Sequence, residues 1–200
     1  SPGGLWARGL TRQVGERRLF EVDFGTEGLL WVRGPSGTGK SQLLRAVAGL
    51  VPHEGEVGLG ETVRAELPPW RASVVYVPQD PPSDGTTGRR WIERVAALQL
   101  QLGRPADDPV PLAERWGLRA DRWEEPTSRL SGGERQRLWL ALVLSRRPDA
   151  VLLDEPTSAL DPDARDAVAA SLEGRVGLLV THDADLGERL ATDALMLGAR

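Results

Sequence analysis

The 200-residue chain is 40% hydrophobic and 27% charged, proportions that suit one sizeable core, or one core with a lobe, in a soluble globular protein. A formal net charge of -4 offers no overall basic field to a nucleic acid, and the lack of cysteine excludes disulfides and thiolate metal sites. No apolar run approaches the roughly 18–20 residues of a membrane span, residues 138–144 being among the longest, and Ser1-Pro2-Gly3-Gly4 lacks the basic start and apolar run of a signal peptide. A cytosolic protein is expected, and any work at a membrane would need a separate membrane protein.

Residues 5–10 and 19–24 read as two strands around the polar turn Gly15-Glu16-Arg17-Arg18, forming an antiparallel layer beside a main sheet. Residues 29–32 read as a buried strand. Gly34-Pro35-Ser36-Gly37-Thr38-Gly39-Lys40-Ser41 follows, fitting the phosphate-binding pattern G-x-x-x-x-G-K-[ST] at every required position. Residues 42–50 then read as a helix with Leu43, Leu44, Val47 and Ala48 on one face. Strand, glycine loop and helix are the context the motif requires. Its glycines let the backbone curl, so that successive N–H groups face the phosphates at the positive end of a helix. Lys40 would reach the β- and γ-phosphates, and the Ser41 hydroxyl would ligate Mg²⁺. Lys40 is also the only lysine of the chain. A composition that otherwise prefers arginine keeps here a compact ammonium, which binds phosphate as a point charge.

Pro52-His53-Glu54-Gly55 reads as a turn, with His53 at the surface, and residues 56–59 as a short strand. Residues 74–77 form a buried strand ending at Pro78-Gln79. From Asp80 the composition changes: residues 81–88 are a loop, 90–102 a helix with Trp91, Val95, Leu98 and Leu102 on one face, 103–111 a linker, and 112–116 and 121–123 short helices. A mostly helical lobe over 81–129 is expected between core segments 1–80 and 130–200. Ser131 and Glu134 form a capping box that opens a helix to about residue 145. The apolar strand 150–153 ends in Asp154 and Glu155. Asp161-Pro162 starts another helix, and the strand 176–180 ends at Thr181-His182-Asp183. Strands alternating with helices imply a parallel sheet, whose ligands bind at the carboxyl ends of its strands. There Asp154 would hold Mg²⁺ through water, and Glu155 would act as general base or at least orient the attacking water.

Leu130-Ser131-Gly132-Gly133-Glu134, shortly before an Asp-Glu strand end, resembles the signature of the ATP-binding cassette (ABC) ATPases. The resemblance runs from about Leu5 to Leu197, with the motifs in the family's order. It implies an α/β fold: a P-loop NTPase (RecA-like) parallel-sheet core with an N-terminal antiparallel β layer and an inserted helical lobe, all in a single domain. It further implies that Gln79 is the glutamine that senses Mg²⁺ and the γ-phosphate, and that His182 is the switch histidine touching that phosphate. Ser158-Ala159-Leu160-Asp161 matches the segment in which Asp161 would contact a second subunit. Ser131, Gly132 and Gly133, at a helix N-terminus, would serve the ATP of that second chain, the two packing head to tail with ATP at two composite sites.

Two positions depart from the family's pattern. Val14 stands where relatives place an aromatic residue on adenine, and valine has no π face; weaker selectivity for ATP over GTP is expected. Trp6 and Phe20 read as packing of the N-terminal strands. Gln42 replaces a common threonine, with no consequence expected for Mg²⁺.

The expected protein is therefore an ATP-hydrolysing ABC transporter subunit, cytoplasmic and peripheral on the inner face of the membrane. It would work as a dimer, most simply a homodimer, with an integral membrane permease and without nucleic acid. The sequence stops soon after its last strand, which resembles short bacterial cassettes of the iron-export type or the haem-export type of cytochrome c maturation. The alternative is a soluble ABC ATPase of the Fe–S assembly or cell-division type. A non-hydrolysing module would need a damaged site, yet Lys40, Asp154, Glu155 and His182 are all present.

Overall fold

The computed structural model describes residues 3–198; Ser1 and Pro2, part of the start read above for a signal peptide, lie outside them. Two compact units share the chain. The first holds the residues up to Tyr76, Asp149–Glu155, and those from Gly174 onward; the second holds Val77–Pro148 and Pro156–Glu173.

In the first unit, β1 (Leu5–Val14) and β2 (Arg17–Thr26) form a hairpin whose last pair is Val14 opposite Arg17. Leu5, Ala7 and Leu10 are all buried, although the step from 7 to 10 breaks strict alternation. The register shifts between Ala7 and Leu10, where Gly9 at φ 56 absorbs an extra residue as a bulge and returns Leu10 to the inner face. With β4 (Glu54–Leu59) and β5 (Thr62–Val63), the antiparallel sheet has the order β2-β1-β4-β5.

The second sheet has the order β6-β7-β8-β3-β9, from β3 (Leu29–Arg33), β6 (Val74–Val77), β7 (Ala150–Asp154), β8 (Gly177–Val180) and β9 (Ala191–Met196). β7, β8, β3 and β9 are parallel neighbours, with Asp154 in register with Val180 and Trp31 with Leu179. Helix α1 (Lys40–Val47) touches β1 of one sheet and β7 and β8 of the other. Its Leu43, Leu44, Ala46 and Val47 are buried in the core between them, and each buried leucine contributes about 1.5–3 kcal/mol of transfer free energy.

Several elements of this unit go beyond the sequence reading. Helix α2 (Leu67–Ser73) contains Pro68-Pro69, a pair that normally interrupts structure, but here the prolines occupy the first turn, where no N–H partner is lost. Its Trp70 Nε1 donates to Val47 O at 2.8 Å, and Arg64 donates to Val47 O and to Ala46 O, so two side chains close the end of α1. Helix α7 (Ala184–Leu190) and strand β9 were also not anticipated; β9 is a mostly exposed edge strand with no alternating pattern. His53 is not simply a surface residue. Half-buried, it faces Glu54 O through Nδ1 and the Arg64 guanidinium through Nε2. Burial first, then Arg64 and Arg12, hold it below the usual histidine range against the Glu54 carbonyl, so the neutral ring accepts from Arg64.

The second unit contains α3 (Gly88–Gln101), α4 (Val110–Arg115), α5 (Gly132–Leu144) and α6 (Pro162–Leu172), with 3-10 turns at Ala120–Glu124 and Thr127–Arg129. Thr87 caps α3 by accepting from Arg90 N at 3.2 Å. Gly88 lies where a Cβ would meet Leu138 and Trp123 at 2.7 and 2.8 Å, which lets α3 begin flush against the buried Trp123. The expected apolar face of α3 is only partly covered: Trp91 meets Trp139 edge-on at 5.1 Å, but Leu98 stays 45% exposed. The buried anchor is instead Gln99, which donates to Pro105 O and Arg146 O.

Candidate functional site

Buried Leu29, Leu30, Trp31 and Val32 carry the chain to the sheet edge, where Gly34–Ser41 turns it into α1. Gly39 at the N-cap has φ 90, and Leu19 and Phe20 are 3.4 Å from where a Cβ would lie. A side chain there would be strained by the backbone, while those neighbours lie at ordinary contact distance. Helix α1 has no side-chain cap and no acidic residue in its first turn. By contrast, α5, α6 and α7 are capped by Ser131, Asp161 and Asp183. The start of α1 thus keeps its free N–H groups and partial positive charge for an anion. Lys40 Nζ donates to Gly34 O at 2.7 Å and Pro35 O at 2.8 Å, and Thr38 Oγ1 to Pro35 O at 2.8 Å, so the loop is held by its own polar groups.

Two further segments leave the same sheet edge. Asp154, 3% exposed, accepts from the Tyr76 hydroxyl at 3.1 Å, and burial together with that neighbouring charge raises Tyr76 against the opposing Arg45. Glu155, 7% exposed, adopts φ 48, a left-handed conformation that costs a non-glycine residue about 1 kcal/mol. Backbone donation from Glu155 N to Val180 O at 2.8 Å holds it there. Its Oε1 accepts from His182 N at 3.0 Å and lies 3.4 Å from His182 Nε2. Burial pushes the Glu155 carboxyl above the usual carboxylate range and the Asp154 charge adds to this, while His182, by its charge and its N–H, pulls the other way. The His182 ring is 73% exposed and free to meet a ligand. A cavity of about 390 Å³ brings Gly34, Pro35, Lys40, Thr181 and His182 to one space.

The remaining expected residues belong to the second unit. Gln79 is exposed just after β6. Ser131 and Glu134 form the expected capping box, and Glu134 also takes a two-pronged ion pair from Arg122 at 3.0 and 3.1 Å. Burial alone would raise Glu134, but Arg122 and the Ser131 N–H hold it below the usual range. Gly132 and Gly133 hold the first two helical positions of α5, whose N–H groups have no partner within a helix. A Cβ on Gly133 would sit 2.7 Å from Ala159 O. Asp161 spends its carboxylate on capping α6, accepting from Ala164 N at 2.8 Å.

Sequence reasoning missed Tyr76 and Gln136. Gln136, 2% exposed, donates to Ser158 Oγ at 3.3 Å and accepts from Ala159 N at 3.1 Å, fixing the loop before Asp161. Set among Glu134, Arg135 and Arg137, it reads in the sequence as one more polar residue of the helix's first turns, with nothing to mark it as buried. For Mg²⁺, the fit rests on Asp154: it is buried, and the Tyr76 hydroxyl is its one hydrogen-bond donor among the described residues. A carboxylate has room for more. Among those residues no cluster of three or more His, Cys, Asp or Glu forms a cage.

The ABC transporter family model matches residues 20–158, more than half of the chain. The chain belongs to the ABC transporter family. Within that ABC family it is an ATP-binding, ATP-hydrolysing member. A cytochrome c biogenesis ATP-binding export protein of Bordetella bronchiseptica is 37% identical over 186 residues, covering 91% of this chain and 79% of the relative. An energy-coupling factor transporter ATP-binding protein of Lactococcus lactis is 33% identical over 184 residues, 83% of this chain and 64% of the relative. Among solved structures, a post-hydrolysis dimer of an ATP-binding cassette bound to ADP and phosphate superposes with a TM-score of 0.80 at 22% identity, covering 98% of this chain and 97% of that one. At that identity the likeness carries the fold, which is that of ABC ATPase domains.

Proposed function

We propose that this ABC ATPase is the motor subunit of a transporter, closing on a second cassette over two ATP molecules and passing that closure to a separate integral membrane permease. The observation that supports hydrolysis is Glu155: a buried carboxylate in a strained backbone conformation, fixed by the His182 N–H at the sheet edge from which the phosphate loop also leaves. Strain of this kind is kept where the surrounding structure holds a working group in place.

In this reading Gly34, Pro35, Ser36, Gly37, Thr38 and Gly39 cradle the phosphates with backbone N–H groups, and Lys40 leaves its loop carbonyls for the β- and γ-phosphates. Ser41, Asp154 and Gln79 would hold Mg²⁺, which neutralises phosphate charge when bound. Glu155 accepts the proton of the attacking water as the new P–O bond forms and the bond to the β-phosphate oxygen breaks. His182 contacts the γ-phosphate. Ser131, Gly132 and Gly133 of one chain close over the ATP of the other, and Asp161 faces the partner. The core is 1–80 with 130–200, and 81–129 is the lobe. No described helix is long and apolar enough to cross a membrane, so attachment to the inner face would run through the permease, which would also select the cargo.

Lys40→Ala tests the site: ATP binding measured by calorimetry is expected to fall below detection, and unchanged binding and turnover would sink the assignment.

A further inference from the structure

The nucleotide's base needs a surface that Val14 alone does not provide. On the phosphate-loop assignment above, the loop's two sides decide which way a nucleoside triphosphate must lie. The cavity lined by Gly34, Pro35, Lys40 and His182 is one side of the loop, and Glu155 is bonded to His182 there. The terminal phosphate belongs on that side. The nucleoside must then leave past the later half of the loop and the first turn of α1. The β1–β2 hairpin lines that half. Leu19 and Phe20 lie beside Gly39, Arg12 Nε donates to Gln42 Oε1 at 3.0 Å, and Arg17 Nη2 donates to Gly37 O at 3.1 Å.

Arg17 is the cross-strand partner of Val14 at the hairpin's end, and both are exposed, Val14 by 52%. A valine offers a small apolar contact and no π face. A guanidinium is planar, always charged, weakly hydrated and able to stack on an aromatic face. One prong of Arg17 is tied to the loop carbonyl, which places its guanidinium at the loop's rim.

We propose that Arg17, tied to Gly37 and paired with Val14, forms the surface on which the nucleobase stacks. Any purine presents such a face, so the contact does not separate adenine from guanine, which accounts for the weak base selectivity expected of Val14. The test is calorimetric binding of MgATP, MgGTP and Mg-tripolyphosphate to the whole chain and to Arg17→Ala. The expected result is a loss of roughly 5- to 30-fold for both nucleotides, with tripolyphosphate unchanged. Val14→Tyr in the Arg17→Ala chain should restore most of the ATP affinity and leave tripolyphosphate unmoved. Unchanged nucleotide affinity in Arg17→Ala overturns the proposal. So does an equal loss for tripolyphosphate, which would make Arg17 a phosphate ligand. Lys40→Ala separates this from failure of the site itself: if it leaves tripolyphosphate binding intact, the phosphate-loop assignment falls whatever Arg17 does.

Discussion

At Glu155 two demands meet. In the proposed role of base the carboxyl must be ionised to take a proton from water, yet burial favours its neutral form. His182 offsets this with an N–H at 3.0 Å and a ring nitrogen at 3.4 Å. Turnover should therefore rise with pH through the raised Glu155 value. His182→Ala removes the opposing charge but keeps the backbone N–H, so the acid limb of the kcat profile is expected to move to higher pH; an unmoved limb would remove Glu155 from the rate-limiting ionisation. The same shift acts on stability. A carboxyl raised in the folded state binds a proton there more tightly than in the unfolded chain, so stability falls as pH rises from the ordinary carboxylate value through the raised one. Glu155→Gln should accordingly raise Tm near neutral pH and change it little in acid, as differential scanning calorimetry would report. Its turnover should drop on the order of 10²- to 10⁴-fold.

Helix α5 and the loop before α6 work as a joined pair of elements. Ser131 and Glu134 close the start of α5, Gly133 leaves room for Ala159 O, and Gln136 bonds Ser158 and Ala159. Ser131→Ala removes the cap and should cost about 1 kcal/mol of stability. Gln136→Ala removes both bonds to the loop from a buried position and should cost about 1–3 kcal/mol, measured as a lower urea midpoint at unchanged slope. If the 158–161 segment faces a second chain, Gln136→Ala should also weaken nucleotide-dependent dimerisation more than its stability loss explains. A loss of dimerisation no larger than the stability loss predicts would confine Gln136 to a structural role.

For the whole molecule, the proposed closure over ATP at two composite sites would be a two-state switch biased by nucleotide. Glu155→Gln is expected to bind ATP and hydrolyse it only slowly, so light scattering with saturating MgATP should show twice the monomer mass, returning to monomer without nucleotide. A monomer throughout would count against head-to-tail closure. The same variant, tagged and held closed with ATP, should bring a multi-span membrane protein out of detergent-solubilised membranes. Recovery of only soluble assembly factors would move this ABC ATPase to the soluble branch of its family.

What could be read from the sequence was local. The phosphate loop, the capping box at Ser131, the Asp161-Pro162 helix start and the Asp154-Glu155 strand end each depend on residues within a few positions of one another, where backbone sterics and first-turn hydrogen bonding leave few choices. The same locality hid α2, because Pro68-Pro69 reads as a break until Trp70 and Arg64 are seen closing the end of α1, and it hid β9, an exposed edge with no pattern. Tertiary structure alone decided the left-handed Glu155 and its hold by His182, 27 positions away, the Tyr76 bond to Asp154 across 78 positions, and the grip of Gln136 on the loop before Asp161. Those contacts are set by which strands lie side by side and how far their ends extend, a matter of packing over the whole core that no short stretch of residues encodes.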